Sequence, residues 1–154
     1  MLEHKIIENM QKYPLKNLMI IISLPFEPML FPFIILLTKK YLNLNKNNLI
    51  ILLLSHFIIY LLKKKTNRTR PYNKYPEEIK NKFIYNLNDK SMPSGHSFTS
   101  YLLCWLIAKK TENECLMLIP ILVCISRVWL GLHYPSDVVV GLILGKITST
   151  LLKQ

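Results

Sequence analysis

The stretch PSGHSFTSYLLCWLIAKKTENE, residues 93–114, runs from a helix-start signature through an apolar segment into a charged connection. Ser94 can cap the helix that follows, and Gly95 allows another backbone to approach closely. The segment 97–108 reads as a helix crossing an apolar medium. That leaves a titratable imidazole, His96, at the mouth of the apolar segment.

The same alternation repeats on both sides. Residues 18–38, LMIIISLPFEPMLFPFIILLT, are long enough at about 1.5 Å per residue to cross a hydrocarbon core of about 30 Å. Its three prolines imply kinks. Glu27 should face protein or water, because an ionised carboxylate in hydrocarbon is costly; it could line a lipid groove or pair with a base, and a structural polar contact is its expected role. Residues 49–62, LIILLLSHFIIYLL, give only about 21 Å of helix and must borrow length from flanking Asn and Lys side chains that snorkel. Further apolar runs occupy 116–132 and 138–152, with Lys146 near the middle of the last. Ahead of them, Leu2, Ile6, Ile7, Met10 and Tyr13 share one helical face within 1–16, the pattern of an interfacial helix lying on a bilayer, with packing onto another protein segment as the alternative.

The expected fold is therefore all-α: an integral-membrane, multi-pass helical bundle with about five transmembrane helices and an N-terminal interfacial helix. It forms a single domain over 1–154, with its longest loop at 63–92. An odd number of spans places the N-terminus, the 63–92 loop and the 131–137 loop on one side.

Composition agrees with this segregation. Apolar residues make up 51% and charged residues 19% of the 154 positions, so each kind must be gathered into blocks. A net charge of +11 suits an anionic membrane surface, an anionic substrate or nucleic acid, and part of it is plain compositional bias toward Lys. The cations are divided among short connections and lack aromatic interleaving on an open face, which argues against a nucleic-acid partner. Cys104, Cys115 and Cys124 have no metal-ligand spacing and read as buried free thiols. The first residues lack the apolar core and small-residue cleavage site of a secretory signal, so insertion is expected from the mature chain.

Three polar clusters open on the same side. In KKKTNRTRP, a turn set by Pro71 can hold the Arg70 guanidinium for bidentate phosphate contact; taken alone, the run also suits electrostatic contact with lipid head groups. In PSGH, the backbone N–H groups at the helix start and the helix dipole favour an anion beside His96. In SRVWLGLHYPSD, residues 126–137, Asp137 lies one helical turn beyond His133. Its carboxylate can fix the imidazole tautomer and free the other ring nitrogen as nucleophile or base. Histidines, cations and a helix N-terminus at a membrane surface suit phosphoryl transfer, where catalysis is mostly positioning and charge stabilisation. No carboxylate cluster marks a metal site, so the cations are expected to neutralise charge without a metal or other cofactor.

The order and spacing of Lys63, Arg70-Pro71, Pro93-Ser94-Gly95-His96, Ser126-Arg127, His133 and Asp137 resemble the three-part signature of the type 2 phosphatidic acid phosphatase superfamily, over roughly residues 60–145. The resemblance implies that His133 is a nucleophile forming a phosphohistidine and that Asp137 orients it. It makes His96 the general acid that protonates the leaving alcohol and then helps activate water. Lys63, Arg70, Ser94, Gly95 and Arg127 would hold the phosphoryl oxygens; only spacing selects Lys63 over Lys64 and Lys65. Membrane members commonly have six spans, so five make a minimal version.

The implied activity is metal-independent hydrolysis of a lipid phosphate or diphosphate: phosphatidate, phosphatidylglycerol phosphate or a polyprenyl diphosphate. Two alternatives remain beside it. One is transfer of a phospho-headgroup between lipids, and the other is a non-catalytic phospholipid-binding protein of the same fold, which predicts loss of at least one of His96, His133 and Arg127. The lysines of the opposite loops favour that side as cytoplasmic, and cations kept for substrate put the site on the extracytoplasmic or luminal side, as the resemblance also implies. Nothing in the sequence sets an oligomeric state.

Overall fold

The computed structural model describes residues 2–87 and 89–152, and the regular elements among them are all helical. The ends of the expected domain, at 1 and 153–154, and position 88 of the long loop lie outside the described residues. The helices are α1 (Leu2–Met10), α2 (Lys16–Ser23), α3 (Phe31–Thr38), α4 (Lys46–Thr66), α5 (Pro71–Lys74), α6 (Gly95–Thr111), α7 (Leu118–Trp129) and α8 (Pro135–Leu151). Single 3-10 turns, Leu24–Phe26 and Glu114–Met117, follow α2 and precede α7.

Residues 18–38 do not form the one kinked span expected of them. They make two eight-residue helices with a break between, and Glu27 sits in the break. Pro25 opens the 3-10 turn, and Pro28 pushes the residue before it out of helical geometry: Glu27 has φ −59° and ψ 119°. The second apolar run is longer than its sequence limits, because the Asn45 side chain accepts the Asn48 amide at 2.8 Å and starts α4 early. At its far end Lys63, Lys64 and Lys65 face the negative pole of the helix, and Asn67, with φ 49°, ends it in the left-handed conformation. The long loop therefore begins at 67 rather than 63, and Lys63 projects from a helix.

The N-terminal helix also stops short, at Met10 rather than 16. Ile7 is fully buried in a core with Val128 and Trp129, and Gln11 Nε2 donates to the carbonyls of Lys80 and Trp129, so the helix packs onto protein. Leu2 and Ile6 remain exposed. Among the described residues no helix is both long and apolar enough to cross a membrane by itself. α4 has 21 residues but polar, lysine-bearing ends, while α6 and α8 have 17 each and α7 has 12. The expected count of about five spans is thus not carried by single helices of that length and apolarity. Cys104 and Cys124 are buried free thiols, but Cys115 is exposed, because it falls in the 3-10 turn ahead of α7 rather than inside an apolar run.

α6 is the central element, packing against both α7 and α8, while α2 covers α7. The approach of α8 to α6 depends on missing side chains. A Cβ on Gly141 would stand 2.6 Å from the Ser94 carbonyl oxygen, and one on Gly145 would stand 2.9 Å from Tyr101 Cβ. Close packing at these points brings the first turns of α6 and α8 together.

Candidate active site

The three polar clusters meet at the end of the bundle where α6 and α8 begin. Backbone bonds knit them: the Ser94 amide donates to the Asp137 carbonyl at 3.0 Å, and the Ser91 amide to the Arg68 carbonyl at 2.9 Å. Arg70 Nη1 reaches the Leu132 carbonyl at 2.8 Å. Ser94 caps α6, its Oγ accepting the Ser97 amide at 3.4 Å.

Lys63, Arg70, Gly95, His96 and His133 line one cavity of about 450 Å³, together with Glu27, Asp89 and apolar residues such as Met29, Ile59 and Leu87. Lys63 Nζ lies 2.9 Å from Asp89 Oδ2, and Arg70 Nη2 pairs with the other oxygen of the same carboxylate. Arg70 Nη1 is also 3.3 Å from His133 Nε2, which accepts it when the ring proton is on Nδ1. The Lys63–Arg70 pair thus holds a two-oxygen anion of the protein's own next to an imidazole nitrogen. Burial, then the neighbouring Arg70, Lys63 and Arg127 cations, holds His133 well below the usual imidazole range, so the ring is neutral. Burial pushes the Asp89 carboxyl up, but Lys63 and Arg70 outweigh it and the net shift is downward.

Ser94, Arg127 and Asp137 are fully buried and do not line the cavity. Arg127 Nη1 donates to Ser23 Oγ at 3.3 Å and its guanidinium lies 4.7 Å from the Phe83 ring, yet Nε and Nη2 have no hydrogen-bond partner among the described residues. A buried guanidinium with unpartnered nitrogens is costly and fits a site for an anion. Asp137 stands behind His133 at 3.6 Å from Nδ1, and that separation is too long for the hydrogen bond the sequence suggested. The reason is competition: Oδ2 accepts the Tyr134 amide at 2.9 Å and Oδ1 accepts Arg68 Nη1 at 2.8 Å.

Two site residues, Arg68 and Asp89, have no role assigned from sequence, and Glu27 has no partner assigned there. Arg68 binds Asp137, Ser136 Oγ at 2.6 Å and Glu3 Oε2 at 2.7 Å, and its guanidinium covers the Tyr134 ring at 4.0 Å. Its only signal was membership of the basic run beside Arg70. Asp89 gave none, being one acidic residue in a polar loop. Glu27 was conspicuous as a carboxylate in an apolar run, but its partner was not: Oε2 lies 3.1 Å from His96 Nε2 and accepts Tyr85 Oη at 3.2 Å. Among the described residues, no group of three His, Cys, Asp or Glu side chains is gathered to hold a metal ion.

An all-helical bundle with paired histidines and cations around one anion-holding cavity defines the class. The chain belongs to the PAP2 superfamily, whose model matches residues 47–154. Among solved structures it is similar to LpxE from Aquifex aeolicus, with a TM-score of 0.76 at 19% identity over 98% of this chain and 94% of that one. It is also similar to a transmembrane PAP2 type phosphatidylglycerolphosphate phosphatase from Bacillus subtilis, with a TM-score of 0.67 at 21% identity over 96% of this chain and 84% of that one. At these identities the likeness is one of fold. In sequence it is 31% identical, over 64% of this chain, to YbjG of Escherichia coli (strain K12), a protein provisionally named as an undecaprenyl-diphosphatase. The chain spans half the length of that relative, 50%.

Proposed function

We propose that this chain is an integral-membrane, metal-independent phosphatase that hydrolyses a lipid phosphate or lipid diphosphate through a phosphohistidine. The observation that carries the proposal is the Asp89 carboxylate held between Lys63 and Arg70, with Arg70 also 3.3 Å from His133 Nε2. A phosphoryl group taking the place of that carboxylate presents its oxygens to the same two cations and its phosphorus to a neutral imidazole nitrogen.

His133 Nε2 attacks phosphorus as the P–O bond to the lipid breaks, and His96 gives its proton to the departing oxygen. Water then attacks the phosphohistidine; His96 takes a proton from it, the P–N bond breaks, and His133 is restored. Lys63, Arg70 and Arg127, with Ser94 and the Gly95 amide at the start of α6, neutralise the charge that builds on the phosphoryl oxygens. Asp137 stabilises the His133 ring electrostatically.

Membrane embedding is supported by what the helices leave uncovered. Phe33 and Leu36 on α3, Phe57 and Ile58 on α4, Ile121 and Leu122 on α7, and Ile143 and Ile147 on α8 are all exposed, an apolar girdle far beyond isolated surface residues. Lysines at the helix ends can reach outward to the interface. The names of the Bacillus subtilis phosphatidylglycerolphosphate phosphatase and of YbjG support the lipid class. The extracytoplasmic or luminal face is the proposed side, with the opposite lysine-bearing connections cytoplasmic.

The test is phosphate release by detergent-purified protein in EDTA, comparing phosphatidate, phosphatidylglycerol phosphate and a polyprenyl diphosphate. EDTA-resistant turnover inhibited by vanadate is expected. Release of no phosphate from any of them, or strict metal dependence, overturns the proposal, and appearance of phosphate on an added lipid alcohol instead of water reassigns it to headgroup transfer.

A further inference from the structure

Nothing in the three-part signature involves Glu27, which lies 69 residues before His96 in the α2–α3 break. The structure nonetheless builds a path between them. A Cβ on Gly95 would stand 2.9 Å from Pro28 Cγ, so the bare start of α6 is the surface on which Pro28 rests. With Pro28 seated there, the preceding residue delivers its carboxylate to the next side chain of α6: Glu27 Oε2 and His96 Nε2 are 3.1 Å apart. The pair is enclosed, with side chains only 15% and 5% exposed, and both residues border the phosphate cavity. Tyr85, from the 67–94 connection, donates to the same carboxylate oxygen at 3.2 Å.

We infer that Glu27 is a positioning residue for the general acid: it holds the His96 imidazole in place and stabilises its protonated form. The inference rests on the phosphatase reading and adds a residue to it. A protonated ring carries an N–H on each nitrogen; one is given to Glu27 and the other is available to the departing oxygen. In the first step His96 loses that proton to the lipid alcohol while Glu27 keeps its charge. In the second, water loses a proton to His96 and its oxygen bonds to phosphorus, so the imidazolium facing Glu27 is regenerated. No other reactant is needed. The break in the 18–38 segment thereby acquires a purpose, because an unbroken helix could not present residue 27 to the first turn of α6.

The chemistry separates this role from a structural one. An alkyl alcohol is a strongly basic leaving group and needs the proton, whereas nitrophenolate leaves without it. The experiment measures kcat/KM for hexyl phosphate and for 4-nitrophenyl phosphate with wild type, Glu27→Gln, His96→Ala and the double variant. We expect Glu27→Gln to lower the hexyl-to-nitrophenyl ratio by about 10-fold or more, and His96→Ala to lower it further, within the range of about 10²–10⁴ associated with general acid catalysis. The double variant should be no slower than His96→Ala alone, because Glu27 acts through that ring. A ratio measured on one preparation is indifferent to the fraction of protein folded. An unchanged ratio in Glu27→Gln, or losses that add in the double variant, overturns the inference while leaving the phosphatase reading intact. A wild type that releases phosphate from neither substrate sinks that reading and the inference with it.

Discussion

Two histidine–carboxylate pairs each bring a histidine to one cavity, and they are built in opposite ways. His133 and Asp137 lie four residues apart at the start of α8, and their partnership is written into one short stretch of chain; yet the carboxylate stands 3.6 Å from Nδ1 and is engaged by Arg68 and the Tyr134 amide. His96 and Glu27 are brought together only by tertiary structure, and they make the shorter contact, 3.1 Å. Local spacing thus fixes which groups are neighbours, whereas competition among partners decides which of them bond. In the proposed mechanism the first carboxylate acts across a gap on a ring kept neutral, and the second touches a ring that has to carry a proton.

That contrast can be broken experimentally. The largest effect belongs to His133→Ala, which should lower phosphate release by about 10⁴-fold or more and abolish any phosphoenzyme trapped by acid quench. Retention of a labelled phosphoenzyme in that variant would move the nucleophile elsewhere. Asp137→Asn should cost about 10²-fold, less than loss of the nucleophile, and should slow alkyl and aryl phosphates alike, because His133 attacks both. Selectivity for alkyl phosphates in Asp137→Asn would erase the distinction between the pairs.

A smaller effect is expected at Asp89. Its carboxylate competes with substrate for Lys63 and Arg70 from a tethered position, so Asp89→Asn should tighten vanadate inhibition by about 3- to 10-fold. Weaker inhibition would make Asp89 a helper of anion binding. The smallest is a displacement on the pH axis. His133 is needed neutral and its pKa is depressed by burial and by Arg70, so kcat/KM, corrected for the substrate's second ionisation, should hold as pH falls through 6.5 and drop only at more acid values. An acid limb at or above 6.5 would mean that the ring is not held as described.

Legibility followed the length scale of each feature. The apolar runs and the His133–Asp137 spacing are local, and the all-helical architecture and the gathering of the three clusters follow from them. Helix ends were read less well because caps and prolines, not hydrophobicity, set them: Asn45 and Asn67 lengthen α4 past its apolar limits, and Pro25 and Pro28 cut the first run in two. Glu27, Asp89 and Arg68 took their roles from contacts 65 or more residues away, or from a loop whose path no periodicity describes. The α1 pattern alone suits a membrane surface or another protein segment, and only the tertiary structure decides, with Ile7 buried against protein.

The bare faces of Gly141 and Gly145 carry one further consequence. Because Gly141 rests on the carbonyl of Ser94, the separation of the two histidines is gauged by a methyl group that is not there. The stretch VVVGLILG reads as ordinary lipid-facing sequence, but its glycines are the calibration marks of the candidate site. Any graft of this site onto another bundle must carry them along with the histidines, or the two halves of the reaction will be assembled at the wrong spacing.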